Sequence, residues 1–333
     1  MLQLSVLDQS PIPKGSNASI ALHNSLNLAK AAEKLGYTRF WLAEHHNTNG
    51  LASSSPEVII AHIASNTSRI RVGSGGVLLP QYSPYKVAEN FKTLEALFPG
   101  RVDLGIGRSP GGSPETRLAL TDGIRKSLNE FPRQLSNLQG FLHDSLPNGH
   151  PFESVKATPL TETVPQLWNL GISHRGARVA GEHGVGFTYG HFINPVNGKR
   201  AIEEYKNGFQ PSPSLEKPIW NVCIFVVCAD TEAEAESLAL SQDIWLLNVE
   251  KGLDTRIPSL SEARSAFLSA EDQEKIGQNR KRMIIGTPQK VKRGLLQLNE
   301  DYKTDEFIIV TNVFDMAARV RSYELLAKEF GII

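Results

Sequence analysis

The chain has 333 residues, 40% of them hydrophobic and 21% charged, and its 35 basic residues balance 35 acidic ones. That length asks for two domains or one large α/β barrel, and the balance suits a globular protein with a sizeable core. No basic tract with interleaved aromatics supplies the footprint that a phosphate backbone requires, and no apolar run reaches transmembrane length, so nucleic-acid binding and membrane insertion are not expected.

The start, MLQLSVLDQSP, lacks the basic and apolar regions of a signal peptide, which makes the cytoplasm the expected location. Cys223 and Cys228 are the only cysteines. Their odd spacing within one strand pattern puts them on opposite faces, so buried, reduced thiols are expected.

In chain order, short β-branched runs alternate with helical patterns, the sign of βα units around a parallel sheet. LQLSVLD (2–8) opens the series and leads into QSPIPKGS, without the GxGxxG turn of a dinucleotide fold. The next helix is expected to face inward through Ile20, Leu22, Leu26, Leu28, Ala31 and Leu35 and to close at Gly36. RFWLA (39–43) then runs into Glu44, His45 and His46, and Ser55-Pro56 marks a helix start. IRVGSGGVLL (70–79) precedes a second such start at Ser83-Pro84, and RVDLGIG (101–107) leads to Arg108 and Ser109. The segment 143–164, rich in proline, glycine and threonine, looks like an insertion. PQLWNLG (165–171), GVGFTYG (184–190) and PIWNVCIFVVCA (218–229) follow, the last leading to a helix with acids in its first turn at Asp230 to Glu236. A second insertion spans 252–286, Thr287-Pro288 starts another helix, and DEFIIVT (305–311) is the eighth strand. Eight strands with intervening helices predict a (β/α)8 TIM barrel, one domain over 1–333, with an open doubly wound sheet as the alternative.

Barrel active sites sit at the carboxyl ends of the strands, and that rule selects the candidates. After the first strand come Asp8 and Gln9, after the second Glu44 to His46, after the fourth Arg108 and Ser109, after the fifth Ser173 to Gly176 and after the sixth Tyr189 to His191. Side chains alternate along a strand, so at most one of His45 and His46 is directed at the barrel mouth. Either they are solvated or structural residues, or one exchanges protons as an imidazole can near neutral pH. Neither HxH nor HExxH spacing is present, so no metal site is expected. The glycines of GSGG (73–76) inside a central strand suggest a bulge, a barrel corner or a flat ligand against the main chain. Arg108, within GIGRSPGGSPET, can clamp a phosphate together with the amides that open the helix after Ser173, although Ser173 can equally be only a helix cap.

Together GYTRFWLAEHH (36–46), VGSGGVLLPQYSPYKVAENFKTLEALFPGRVDLGIGR (72–108), the Ser173 turn and IGTPQKV (285–291) make the chain resemble the bacterial luciferase-like flavin-dependent monooxygenase family along essentially its whole length. The resemblance implies FMN, used as FMNH2 from a separate NAD(P)H-dependent flavin reductase, and a homodimer. It implies a catalytic role for His45 with His46 in support, a non-prolyl cis peptide at Gly75-Gly76 beneath the flavin ring, and cofactor contacts from Arg108, Gly171, Ile172, Ser173 and Gly176. Arg117 or Arg125 is a further phosphate candidate. Luciferase proper has a cysteine where this chain has Gly107 and a glutamate where it has Ile172, which argues against light emission. The rival expectations are a deazaflavin F420-dependent oxidoreductase on the same fold, a flavin-binding barrel without catalysis, and a metal-dependent barrel hydrolase.

Overall fold

Near-continuous apolar runs such as Trp220–Cys228 must be covered on both faces, and the fold meets that demand with strands enclosed by helices. The structure is a computed structural model that describes residues 2–109 and 111–333. Its strands are β1 (Gln3–Asp8), β2 (Arg39–Leu42), β3 (Arg71–Val77), β4 (Val102–Gly107), β5 (Gln166–Gly171), β6 (Gly186–Gly190), β7 (Trp220–Cys228), β8 (Met283–Gly286) and β9 (Glu306–Val310). All pairings among them are parallel, and the ring runs β1-β2-β3-β4-β5-β6-β7-β9 and back to β1. This closed eight-stranded TIM barrel rules out the open doubly wound sheet. Nine-residue β7 pairs first with β6, Trp220 opposite Phe187, and then with β8, Phe225 opposite Met283, so β8 lies outside the ring. It belongs to the segment 252–286, which also holds helices Leu260–Ser265 and Ala270–Arg280, whereas 143–164 contains no helix or strand.

Alternation along each strand divides the core in two. Leu7, Trp41, Trp168, Phe225 and Ile308 fill the ring, while Val6, Phe40, Leu42, Leu104, Ile224 and Ile309 pack outward under the helices. Each such buried side chain contributes about 1.5–3 kcal/mol over its exposed state. Cys223 belongs to the inner cluster and Cys228 to the outer one, and both are free.

The amino end of the barrel is closed by charge. Arg39 donates from Nε to Glu306 Oε1 (2.7 Å) and from Nη1 to Asp103 Oδ2 (2.9 Å), with its guanidinium 4.9 Å from the Trp168 ring centre. Asp103 also accepts from Trp41 Nε1 (2.9 Å) and from Arg71 Nη2 (2.6 Å), and the Ser5 hydroxyl donates to Glu306.

Two sequence expectations need correction. The helix Ala18–Lys34 buries Ala21, Ser25, Leu26, Leu28, Ala29 and Ala32, while Ile20 is 49% exposed. Its inner face thus combines the expected Leu26 and Leu28 with small residues that let the helix lie close to its neighbours. Ser55, Ser83 and Thr287 precede helices as expected but make no side-chain cap bond. Ser113, also followed by proline, does accept from the Thr116 amide (3.3 Å), so a proline in the first turn does not itself prevent a cap bond. Among the described residues, no helix is long and apolar enough to cross a membrane.

Candidate active site

A cavity of about 530 Å³ opens at the carboxyl ends of the strands. It is lined by His45, Gly75, Gly76, Arg108, Gly171, Ile172, Ser173 and Gly176, and its lining includes the core residues Leu7, Trp41, Cys223 and Ile308. His46, expected in support of His45, does not line it.

Close approach explains the glycines of β3. A side chain at Gly75 would meet Leu7 Cδ1 at 2.6 Å and displace that side chain, and one at Gly76 would meet the Gly105 carbonyl oxygen at 2.7 Å, so Gly76 accepts no Cβ without backbone movement. The Gly75-Gly76 peptide is cis, and the register with β4 shifts between Ser74 and Val77. Gly107, by contrast, faces open space, with no atom nearer than 4.0 Å to a built Cβ. The outcome is a stretch of bare main chain along one cavity wall.

The cavity lining also carries groups that suit an anion. Helix His174–Glu182 begins at Ser173, whose hydroxyl accepts from the Gly176 amide (3.3 Å), so Ser173 does cap the helix while lining the cavity. Buried Asn169 donates from Nδ2 to the Gly176 carbonyl (2.9 Å) and ties this first turn to β5. Exposed amides of a helix N-terminus and the Arg108 guanidinium together form an electropositive pair. Arg117 instead donates to the carbonyls of Gly111 (3.0 Å) and Gly112 (3.2 Å), and neither Arg117 nor Arg125 lines the cavity. Pro110 of the GIGRSPGGSPET element lies outside the described residues.

The adjacent histidines part company. The Glu44 carboxylate is buried, accepting from the Leu78 amide at Oε2 (2.9 Å) and from the Tyr82 hydroxyl at Oε1 (2.6 Å), with His46 Nε2 2.6 Å from that same oxygen. His46 is therefore held behind the cavity wall. His45 lines the cavity, anchored by its amide on the Ser53 carbonyl (2.9 Å), and its Nδ1 is buried without a partner. Burial pushes its pKa down to about 4, against the opposing pull of the Glu44 charge, so the ring is neutral at pH 7. Burial, reinforced by the Glu44 charge, raises the Tyr82 phenol above its ordinary range.

Other strand-end candidates are committed elsewhere. Asp8 pairs with Arg319 (2.8 Å), the Tyr189 hydroxyl donates to the Asn194 carbonyl (2.6 Å), and His191 Nδ1 lies 2.6 Å from the Tyr302 hydroxyl. Gln9 lines the cavity and accepts from Asn312 (2.6 Å). Sequence reasoning missed Asn169, Thr188 and Tyr82. Asn169 and Thr188 line the cavity, and Asn169 Oδ1 and Thr188 Oγ1 are buried with no partner. Orphaned polar atoms beside bare glycine main chain fit a flat ligand with a polar edge, and the Arg108 end fits its phosphate. Among the described residues, no three His, Cys, Asp or Glu side chains are grouped to hold a metal ion.

Residues 2–305 match the family model of the luciferase-like monooxygenases. The chain belongs to the luciferase-like monooxygenase family. It is 54% identical to the uncharacterized protein YceB of Bacillus subtilis over 99% of this chain and 100% of that one. It is 34% identical to the N-acetyl-S-alkylcysteine monooxygenase of the same organism over 98% of each. Among solved structures, apo-MsnO8 superposes with a TM-score of 0.92 at 36% identity, covering 100% of this chain and 99% of that one. The same fold, at 21% identity and a TM-score of 0.71 over 98% of this chain and 97% of that one, is that of the oxygenating constituent of 3,6-diketocamphane monooxygenase from Pseudomonas putida, solved in complex with FMN. At 14% identity and a TM-score of 0.69 over 98% of each, it is also that of an F420-dependent secondary alcohol dehydrogenase.

Proposed function

We propose that the protein is a two-component FMN-dependent monooxygenase, served by a separate NAD(P)H-dependent flavin reductase and acting on a small organic substrate. FMNH2, when bound, supplies the two electrons that reduce one oxygen atom of O2 to water while the other enters the substrate. The observation that carries this reading is the meeting, in one cavity, of Arg108, the Ser173-capped helix N-terminus and the glycine wall of Gly75, Gly76 and Gly107.

In this reading Arg108, Ser173 and Gly176 hold the phosphate, and Gly171 and Ile172 line the path from it to the ring. Gly75 and Gly76 offer main chain to the flat face. Asn169 Oδ1 and Thr188 Oγ1 accept from the polar edge or the sugar-alcohol hydroxyls. Neutral His45 accepts a proton from substrate or water and returns it, while His46 and Tyr82 keep the Glu44 carboxylate fixed beside it. Leu7, Trp41 and Phe131 keep bulk water from the reacting atoms.

An F420-dependent hydride-transfer enzyme is the second reading. The F420 tail carries several carboxylates, and Arg108 is the single lysine or arginine among the described lining residues, which favours FMN. Anaerobic titration with FMNH2 and with reduced F420, followed by oxygen uptake with a generic flavin reductase across a substrate panel, separates the readings. Preferred binding of FMNH2 with substrate-dependent oxygen uptake supports the proposal. Preferred binding of F420 refutes it, and FMN binding with silence across the panel would leave a flavin-binding barrel. A homodimer belongs to the same proposal, and sedimentation of the purified protein tests it.

A further inference from the structure

We infer that the substrate is an electrically neutral, apolar small molecule, seated against a lip formed by Ile172, Phe192 and Ile193 over Gly190. The inference rests on the flavin reading, because it takes Arg108 to be engaged by the cofactor phosphate.

Charge is the first ground. Among the described residues that line the cavity, Arg108 is the one side chain charged positive at neutral pH, since His45 is neutral there. Glu44 is the one carboxylate, and both its oxygens are occupied by Leu78, His46 and Tyr82. Once Arg108 holds a phosphate, a carboxylate on the substrate would lose its water and find no opposite charge, and an ammonium would meet only a Glu44 whose two oxygens are already engaged.

Shape is the second ground. A Cβ built on Gly190 would lie 3.0 Å from Ile172 Cγ2, 3.6 Å from Phe192 Cε1 and 3.7 Å from Ile193 Cδ1, so three apolar side chains converge above a glycine. Phe192 is fixed edge-on against Phe225, with ring centres 5.2 Å apart. Ile172 and Ile193 remain 37% and 49% exposed at the rim. An apolar guest resting there removes hydrocarbon surface from water, whereas a charged guest gains nothing.

The test uses a matched pair, methyl cyclohexanecarboxylate and cyclohexanecarboxylate, titrated calorimetrically at pH 8 into the full-length protein under anaerobic conditions. Reduced FMN is titrated first, and its failure to bind refutes the flavin reading and the inference with it. With FMN bound, the ester is expected to bind at least about tenfold more tightly than the acid. In flavin-free protein the gap narrows, because Arg108 is then open to the carboxylate. FMN binding followed by equal or tighter binding of the acid, or by no binding of the ester, overturns the substrate class and leaves the flavin reading intact. Ile193→Lys, a change at an exposed position, is expected to raise affinity for the acid about tenfold in the FMN-loaded protein. Unchanged affinity for the acid in that variant refutes the placement at the lip.

Discussion

The two ends of the barrel treat polar groups differently. At the amino end Arg39, Arg71, Asp103 and Glu306 answer one another, and Asp103 alone takes hydrogen bonds from Arg39, Arg71 and Trp41. At the carboxyl end His45, Asn169 and Thr188 each keep a buried polar atom with no partner. Buried polar groups are normally satisfied, because an unmade bond costs about 1–3 kcal/mol. The contrast is one of degree, since Asn221 Oδ1 beside Glu306 is also buried without a partner, but the orphaned atoms of His45, Asn169 and Thr188 are on residues that line the cavity.

That contrast can be broken by mutation, and the largest effect belongs to the open end. His45→Gln is expected to lower oxygenation turnover by about 10²–10⁴-fold while leaving flavin affinity and the urea midpoint near wild type. Loss of stability with unchanged turnover would reverse the assignment. At the closed end Asp103→Ala removes the carboxylate shared by Arg39 and Arg71 and is expected to cost about 3–5 kcal/mol in urea unfolding. A cost under about 1 kcal/mol would show that the network is not structural.

Acid stability tests the carboxyl end, where both histidines lie. Burial holds His45 and His191 at about 4, below the ordinary histidine value of 6.5. The unfolded chain therefore binds protons that the folded chain refuses. This stability is fully present above pH 6.5 and is lost as the pH falls towards 4, with a slope of about 1.4 kcal/mol per pH unit for each histidine. Replacing either ring with glutamine should remove its share of the slope, measured by urea unfolding from pH 7 to pH 4.5. The smallest effect is that of Ser173→Ala, where loss of the cap should cost about 1 kcal/mol, accompanied by weaker FMN binding. A stability loss without any change in FMN affinity would make Ser173 a cap only.

The ring strands were legible because their β-branched runs, from LQLSVLD to DEFIIVT, are long enough to stand out against the helical patterns between them. β8 was not, since Met283–Gly286 takes its pairing from the overhanging half of β7 and not from the ring. His45 and His46 lie beyond the end of β2 at Leu42, so strand alternation does not govern which of them lines the cavity. Nor could alternation show that His46 shares an oxygen with Tyr82, because that meeting depends on the turn after β3. Asn169 and Thr188 read as ordinary strand residues, and their unpartnered oxygens exist only once β5, β6 and the Ser173 helix are assembled.

FMN and riboflavin differ by the phosphate alone, so their relative affinity reports on Arg108 and the Ser173 turn. Anaerobic titrations of the wild type and of Arg108→Gln with both reduced flavins measure it. The wild type should prefer FMN by about 100-fold, and Arg108→Gln should lose at least about tenfold of that preference with riboflavin affinity unchanged. Equal binding of the two flavins by the wild type, or an intact preference in Arg108→Gln, would contradict a phosphate site at the mouth of this barrel.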